Sequence, residues 1–125
     1  YARYVRPSWH LFVPLKRKSK ISEDLGLCRV VKFQKIMFFY VYLLQSIKNK
    51  EFYIGSTGNL VRRVKEHNLG LNQSTRPYKP WKLIYYEACR NRLDAKRREH
   101  YLKTSEGGRL LKRRIKEYLF SLRFD

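Results

Sequence analysis

Cysteine is almost missing from this chain of 125 residues, which holds only Cys28 and Cys89. Two thiols so far apart in sequence make neither a disulfide framework nor a metal-ligand pair, so a reducing, cytoplasmic setting is expected. The three histidines are scattered at positions 10, 67 and 100, which excludes zinc-finger spacing. No apolar run approaches the roughly 20 residues of a membrane span, so no membrane partner is expected. Acids are scarce as well: 10 Asp/Glu stand against 29 Lys/Arg, a formal charge of +19. A protein this basic repels itself, and a polyanion such as nucleic acid is the partner that accounts for the pattern. Charge alone does not separate an enzyme from a structural RNA-binding protein. Neither an internal repeat nor a low-complexity tract is present. Hydrophobic residues at 43% suffice for one domain with one modest core.

Residues 1–36 read differently from the rest. They hold nine Lys/Arg and two acids, with Trp9, Phe12 and Val13 among Pro7 and Pro14 and no sustained period. The prolines argue against a targeting helix. The segment reads as a basic arm, a targeting segment or sequence translated from an overlong gene model, and the last is favoured because the only methionine is Met37.

From Phe38 to Gln45 the chain is aromatic and β-branched on both alternating sets, the pattern of a strand covered on both faces. Ser46–Lys50 is a connector of hairpin length, and Glu51–Ser56 is the returning strand. A helix is expected from Leu60 to Leu69, capped by Asn59 and ending near Gly70. Residues 71–80 read as a loop in which Thr75, Arg76, Tyr78 and Lys79 offer a phosphate-contacting surface. Trp81–Ala88 is a third strand. A second helix runs from Arg92 to Thr104 with Asn91 and Asp94 as a capping box. Gly107 and Gly108 are expected to break the chain before a third helix over Arg109–Leu122, apolar along Leu110, Leu111, Ile115, Tyr118 and Leu119. The predicted fold class is α+β: a small three-stranded antiparallel sheet flanked by helices, in a single domain.

The stretch from Tyr53 to His67 carries the chemistry. Tyr53-Ile54-Gly55 ends a strand, and Arg63 and His67 project from one face of the helix that follows. Tyr42 lies eleven residues before Tyr53, in Tyr40-Val41-Tyr42. Downstream, Ala95–Lys103 carries Glu99 on the helix face shared with Ala95 and Leu102, while Lys96, Arg97 and Arg98 are expected to point elsewhere. This ordered set resembles the GIY-YIG endonuclease family, over about residues 37–118. The second triplet is intact and the first keeps only Tyr42, with Tyr40 where the family has glycine. A late asparagine carried by some members has no match, and Lys103 or another cation is expected to stand in.

The resemblance implies catalytic roles for Tyr42, Tyr53, Arg63, His67 and Glu99, with Tyr42 as general base and Tyr53 placing the water or phosphate. Glu99 is implied as the sole protein ligand of one Mg2+ or Mn2+ ion. Its local alternative is an i,i+4 ion pair with Lys103. None of the eight carboxylates from Met37 onward forms the close pair that two-metal nucleases use. Arg63 and a metal-bound water are expected to favour a Tyr42 phenolate, and His67 is either a proton relay or a phosphate contact. Gly55, Lys79, Arg97, Lys103 and Lys112 are candidate substrate contacts. Residues 37–122 are thus read as a nuclease domain cleaving DNA with little sequence specificity, on repair or recombination intermediates. The alternative is a non-catalytic nucleic-acid-binding protein, and the oligomeric state stays open.

Overall fold

Strand β1 (Phe39–Ser46) owes its central place to the apolar residues on both of its faces. In the computed structural model, which describes residues 35–124, it lies between β2 (Phe52–Thr57) and β3 (Trp81–Cys89), antiparallel to both. Val41 and Leu43 face one core with Ala95, Leu102, Leu111 and Ile115. Tyr42 and Leu44 face a second with Trp81, closed by Leu60 and Val64. The register sets Tyr42 opposite Gly55 on one side and Tyr86 on the other. Leu43 pairs with Tyr85 but Leu44 with Leu83, so Ile84 is the extra residue of a β-bulge. Lys50 closes the β1–β2 turn in the left-handed region at φ 64. All three strands lie within one residue of the expected bounds. The expectation about residues 1–36 falls almost wholly outside the described residues.

Helix α1 (Leu60–Asn68) begins as expected, with the Asn59 side chain accepting the Arg62 N–H at 3.0 Å. At its other end Asn68 grips the start of β3 at two points. Its amide donates to the Trp81 carbonyl at 3.1 Å, and its oxygen accepts the Trp81 N–H at 2.6 Å. The intervening loop contains a short 3-10 turn over Arg76–Tyr78 and is tied to β1 by Ser46, whose hydroxyl donates to the Tyr78 carbonyl at 2.6 Å.

Helix α2 (Arg92–Leu102) is capped by Asn91, which accepts the Leu93 N–H. Asp94 does not complete the expected capping box, because its carboxylate faces Arg97 at 3.6 Å. A larger correction concerns Gly107 and Gly108. They lie inside helix α3 (Ser105–Arg114), capped by Thr104. Ile115 ends that helix, and a short α4 (Lys116–Ser121) follows in place of one continuous helix to Leu122. Gly107 permits close packing: a Cβ there would fall on the Tyr101 carbonyl at the end of α2. Gly108 has no such neighbour, the nearest atom being the Leu102 oxygen at 4.0 Å. Gly107→Ala is therefore expected to cost about 3 kcal/mol, the upper range for overpacking, because backbone cannot yield. Gly108→Ala should be neutral or gain up to about 1 kcal/mol by helix propensity. Paired urea titrations check the contrast, and equal effects would contradict the close contact.

Candidate active site

Three groups converge on the hydroxyl of Tyr42. Its strand position aims the side chain into the second core, where it is 1% exposed. Helix α1 crosses that face and delivers two side chains one turn apart. His67 Nε2 lies 2.9 Å from the Tyr42 oxygen, and Arg63 Nε donates to it at 3.4 Å. Below the ring lies Gly55, where a Cβ would stand 2.5 Å from the hydroxyl oxygen and 2.7 Å from the ring carbon that bears it. Gly55 is itself buried. It makes room for Tyr42 and presents no surface to a substrate, which corrects the expected contact.

His67 is completely buried, so it is no phosphate contact. Its Nδ1 lies 2.8 Å from the Thr75 hydroxyl, and the Tyr53 ring packs edge-on against the imidazole at 4.9 Å. Burial holds the His67 pKa below the ordinary histidine value, and the charge of Arg63 adds to the effect. Burial also pushes Tyr42 up to about 12, outweighing the opposing hydrogen bond from Arg63. The expected drift toward phenolate is thus reversed. At neutral pH this pair is a neutral phenol beside a neutral imidazole. Arg63 is the solvent-facing member of the group, its side chain 34% exposed, and it also grips Glu66 at 2.8 Å.

Glu99 approaches from the other face of the sheet. Ser56, opposite Val41 in the ladder, donates its hydroxyl to the Glu99 carboxylate at 2.5 Å. Lys103 donates at 2.8 Å and Lys96 at 3.2 Å. Lys96 therefore reaches back to Glu99 and does not point elsewhere as expected. Burial opposes ionisation, but the hydrogen bonds from Lys103, Ser56 and Lys96 together bring the carboxyl down to about 2. Tyr42 and Glu99 thus flank the edge strand β2, close enough for the negative charge of Glu99 to raise the Tyr42 pKa further. An ionised carboxylate is a donor that a hard divalent cation accepts. Lys96 and Lys103 occupy Glu99 here, however, and would have to swing aside to admit one, which their half-exposed chains permit. Among the described residues no three His, Cys, Asp or Glu side chains cluster. An ion would rely on Glu99, waters and a substrate phosphate.

The family model for the GIY-YIG catalytic domain matches residues 38–112, spanning every element from β1 into α3. The chain belongs to the GIY-YIG endonuclease family. Among curated proteins, a UPF0213 protein of Clostridium perfringens is 43% identical over 65 residues, which cover 51% of this chain and 69% of that protein. A UPF0213 protein of Desulfotalea psychrophila is 37% identical over 67 residues, 52% of this chain and 60% of its own. The structure-specific endonuclease subunit SLX1 of Candida glabrata is 45% identical over 65 residues, 43% of this chain but only 21% of that protein. Where the GIY-YIG pattern has its first glycine, Tyr40 is half-buried and packs edge-on against Tyr86 at 5.9 Å. The strand accommodates it without loss of register.

Other expected contacts fall outside this GIY-YIG centre. Arg97 is exposed and paired with Asp94. Lys112 shares a shallow surface concavity with Glu106, Arg109 and Arg113. No hydrogen bond or ion pair joins either residue to Tyr42 or Glu99. Lys79 is exposed, with its amine beside Gly70. Lys103 is brought in, but as a partner of Glu99. Thr75 is 1% exposed and offers no phosphate surface. Sequence reasoning also missed the brace that fixes α2. Arg98 grips Glu87 of β3 through Nε and Nη2 at 2.9 and 3.0 Å, and the Tyr85 hydroxyl donates to the same carboxylate. Arg98 and Glu87, eleven residues apart, gave no signal, because only the fold decides which acid a surface arginine meets.

Proposed function

We propose that residues 37–122 form a metal-dependent endonuclease domain that hydrolyses DNA with little sequence specificity, acting on repair or recombination intermediates in the cytoplasm. The observation that carries this reading is the convergence of His67 and Arg63 on one buried tyrosine hydroxyl, with an ionised carboxylate across the edge strand. Tyr42 is protonated, so it can take a proton from water only by giving up its own. His67 Nε2 is the acceptor within reach. The water O–H bond breaks, its proton goes to the Tyr42 oxygen, and the tyrosine proton goes to His67 as the nucleophile attacks phosphorus. The P–O bond to the leaving oxygen breaks, and that oxygen takes a proton from solvent. Arg63 stands at the open side to meet the phosphate, a charge-assisted contact that positions without reading sequence. A single Mg2+ or Mn2+ at Glu99 would supply charge neutralisation at the phosphate and the leaving oxygen. The relative from Candida glabrata is described as structure-specific, which favours substrate shape over base sequence here too.

The test is cleavage of branched, flapped, single-stranded and duplex DNA in Mg2+ and in EDTA. Cleavage of branched substrates in Mg2+ alone is expected. Binding without cleavage on every substrate would favour the reading in which Lys96 and Lys103 permanently neutralise Glu99 in a binding protein. No helix among the described residues is long and apolar enough to cross a membrane, and residues 37–125 carry 20 Lys/Arg against 8 Asp/Glu. Affinity should accordingly fall by roughly 0.9 log unit per log unit of salt for each duplex phosphate contacted. With several contacts the slope reaches about −3 or steeper by the same relation. Fluorescence anisotropy across a salt series measures it, and a flat dependence would remove the polyanion partner.

A further inference from the structure

Thr75, too buried for the phosphate contact expected of it, contributes a hydroxyl to which the family comparison assigns no role. It rests 2.8 Å from His67 Nδ1, on the side of the imidazole away from Tyr42. We propose that Thr75 is a positioning residue that fixes His67 as the Nδ1–H tautomer, leaving Nε2 as the free acceptor for the Tyr42 proton. The inference rests on the nuclease reading for its catalytic consequence, though not for the tautomer itself.

The hydrogen-bond ledger around the two rings decides the tautomer. A hydroxyl has one proton to give. That of Thr75 has two acceptors within reach, His67 Nδ1 at 2.8 Å and the Asn72 carbonyl at 3.4 Å. Given to the carbonyl, it leaves the oxygen free to accept from Nδ1–H. At the other end the Tyr42 oxygen already accepts from Arg63, so its proton is directed to Nε2. In the opposite tautomer the Tyr42 oxygen would accept from both Arg63 and His67. The phenol proton would then have no partner at a site that is 1% exposed, which a buried polar group does not tolerate. Only the Nδ1–H form satisfies every group. It is also the form that can receive the proton, because a protonated Nε2 has no lone pair to offer.

Thr75 is held for this task by contacts of its own. Trp81 donates its indole N–H to the Thr75 carbonyl at 2.9 Å, and Trp81 is in turn clamped at two points by Asn68, next to His67 on α1. Loop, strand and helix are thus locked together at the residue that sets the imidazole. The titratable and charged groups facing His67 are Tyr42 and Tyr53 from the sheet and Arg63 and Glu66 from its own helix. None of them is a hydrogen-bond partner of Nδ1, which leaves Thr75 as the group that orients the ring.

The full chain, as wild type, Thr75→Val and Thr75→Ser, is examined by 15N-detected imidazole NMR and by cleavage kinetics. The wild type is expected to show His67 protonated at Nδ1. Thr75→Val keeps the side-chain shape but removes the acceptor. It should shift the tautomer toward Nε2–H and lower kcat by about 10- to 100-fold with KM unchanged, the range typical for removing a group that orients a histidine. Thr75→Ser should restore both. A wild-type His67 protonated at Nε2, or a Thr75→Val protein that keeps tautomer and kcat, overturns the proposal. If Thr75→Val does not fold, the wild-type tautomer and the serine variant still decide it. Should the wild type cleave nothing, the nuclease reading fails, and the NMR result still tests the tautomer alone.

Discussion

Tyr42→Phe is expected to lower turnover at saturating substrate by about 10²- to 10⁴-fold, the contribution of a positioned proton-transfer group. Affinity for DNA in EDTA should be unchanged, since the buried hydroxyl meets no phosphate. The substitution leaves His67 Nε2 without its donor and costs about 1–3 kcal/mol, the penalty of a buried group left unpaired. Arg63 loses little because it keeps Glu66 at 2.8 Å. The pH profile carries the sharper signature. His67 must be neutral to accept the proton, so wild-type turnover falls as pH drops through its pKa, which burial holds below the usual value. On the alkaline side the tyrosine, up at about 12, leaves the profile flat through neutral pH. The residual activity of Tyr42→Phe should lose the acid limb. His67 also links stability to pH. Its depressed pKa contributes stability that is present above the unfolded value near 6.5 and is lost as pH falls toward the folded value. A Phe variant with wild-type turnover would end the relay.

The parts legible in the sequence are those set by local periodicity. Apolar residues on both sets of β1 announced a central strand, and the i,i+4 spacing of Arg63 and His67 announced that both would reach one target. Asn59 and Asn91 were legible as caps because a cap acts within three residues. The misread features all depend on contacts distant in sequence or on a contest between effects. Gly107 looks like a helix breaker until the Tyr101 carbonyl is seen beneath it. Thr75 looks like a surface polar residue until Trp81 and His67 close over it. The direction of the Tyr42 shift turned on magnitude: Arg63 lowers the pKa as its charge suggests, but burial is larger. Glu99 illustrates the same limit. Its metal-ligand reading and its Lys103 pairing looked like rivals, yet the lysines that hold the carboxylate are half exposed and leave room for either.

Glu99→Gln separates those readings. The amide keeps the shape and can still accept from Lys103, but it removes the charge that would hold a divalent cation. If the cation neutralises the phosphate and the leaving oxygen, turnover in Mg2+ falls by at least about 10³-fold, the scale of losing a principal source of transition-state charge stabilisation. Affinity in EDTA persists or tightens, because a negative charge has gone from beside a polyanion while two lysines are released to it. A purely structural pair predicts normal turnover with altered stability alone. Stability does change in either case, and its sign follows from the carboxyl pKa. That pKa lies at about 2, below the unfolded value near 4.3. The wild type therefore carries stability that is full above the unfolded value and drains away as pH falls from about 4.3 toward 2. Glu99→Gln should be less stable than wild type at pH 7, with the gap closing across that acid window. Since the lysines are about half exposed, solvent screens the pair and the gap stays small. Turnover and EDTA affinity on one branched substrate, with urea titrations at pH 7 and pH 3, give all three readouts. Unimpaired turnover in the variant would remove the metal from Glu99 and leave the carboxylate as a brace between α2 and the edge strand.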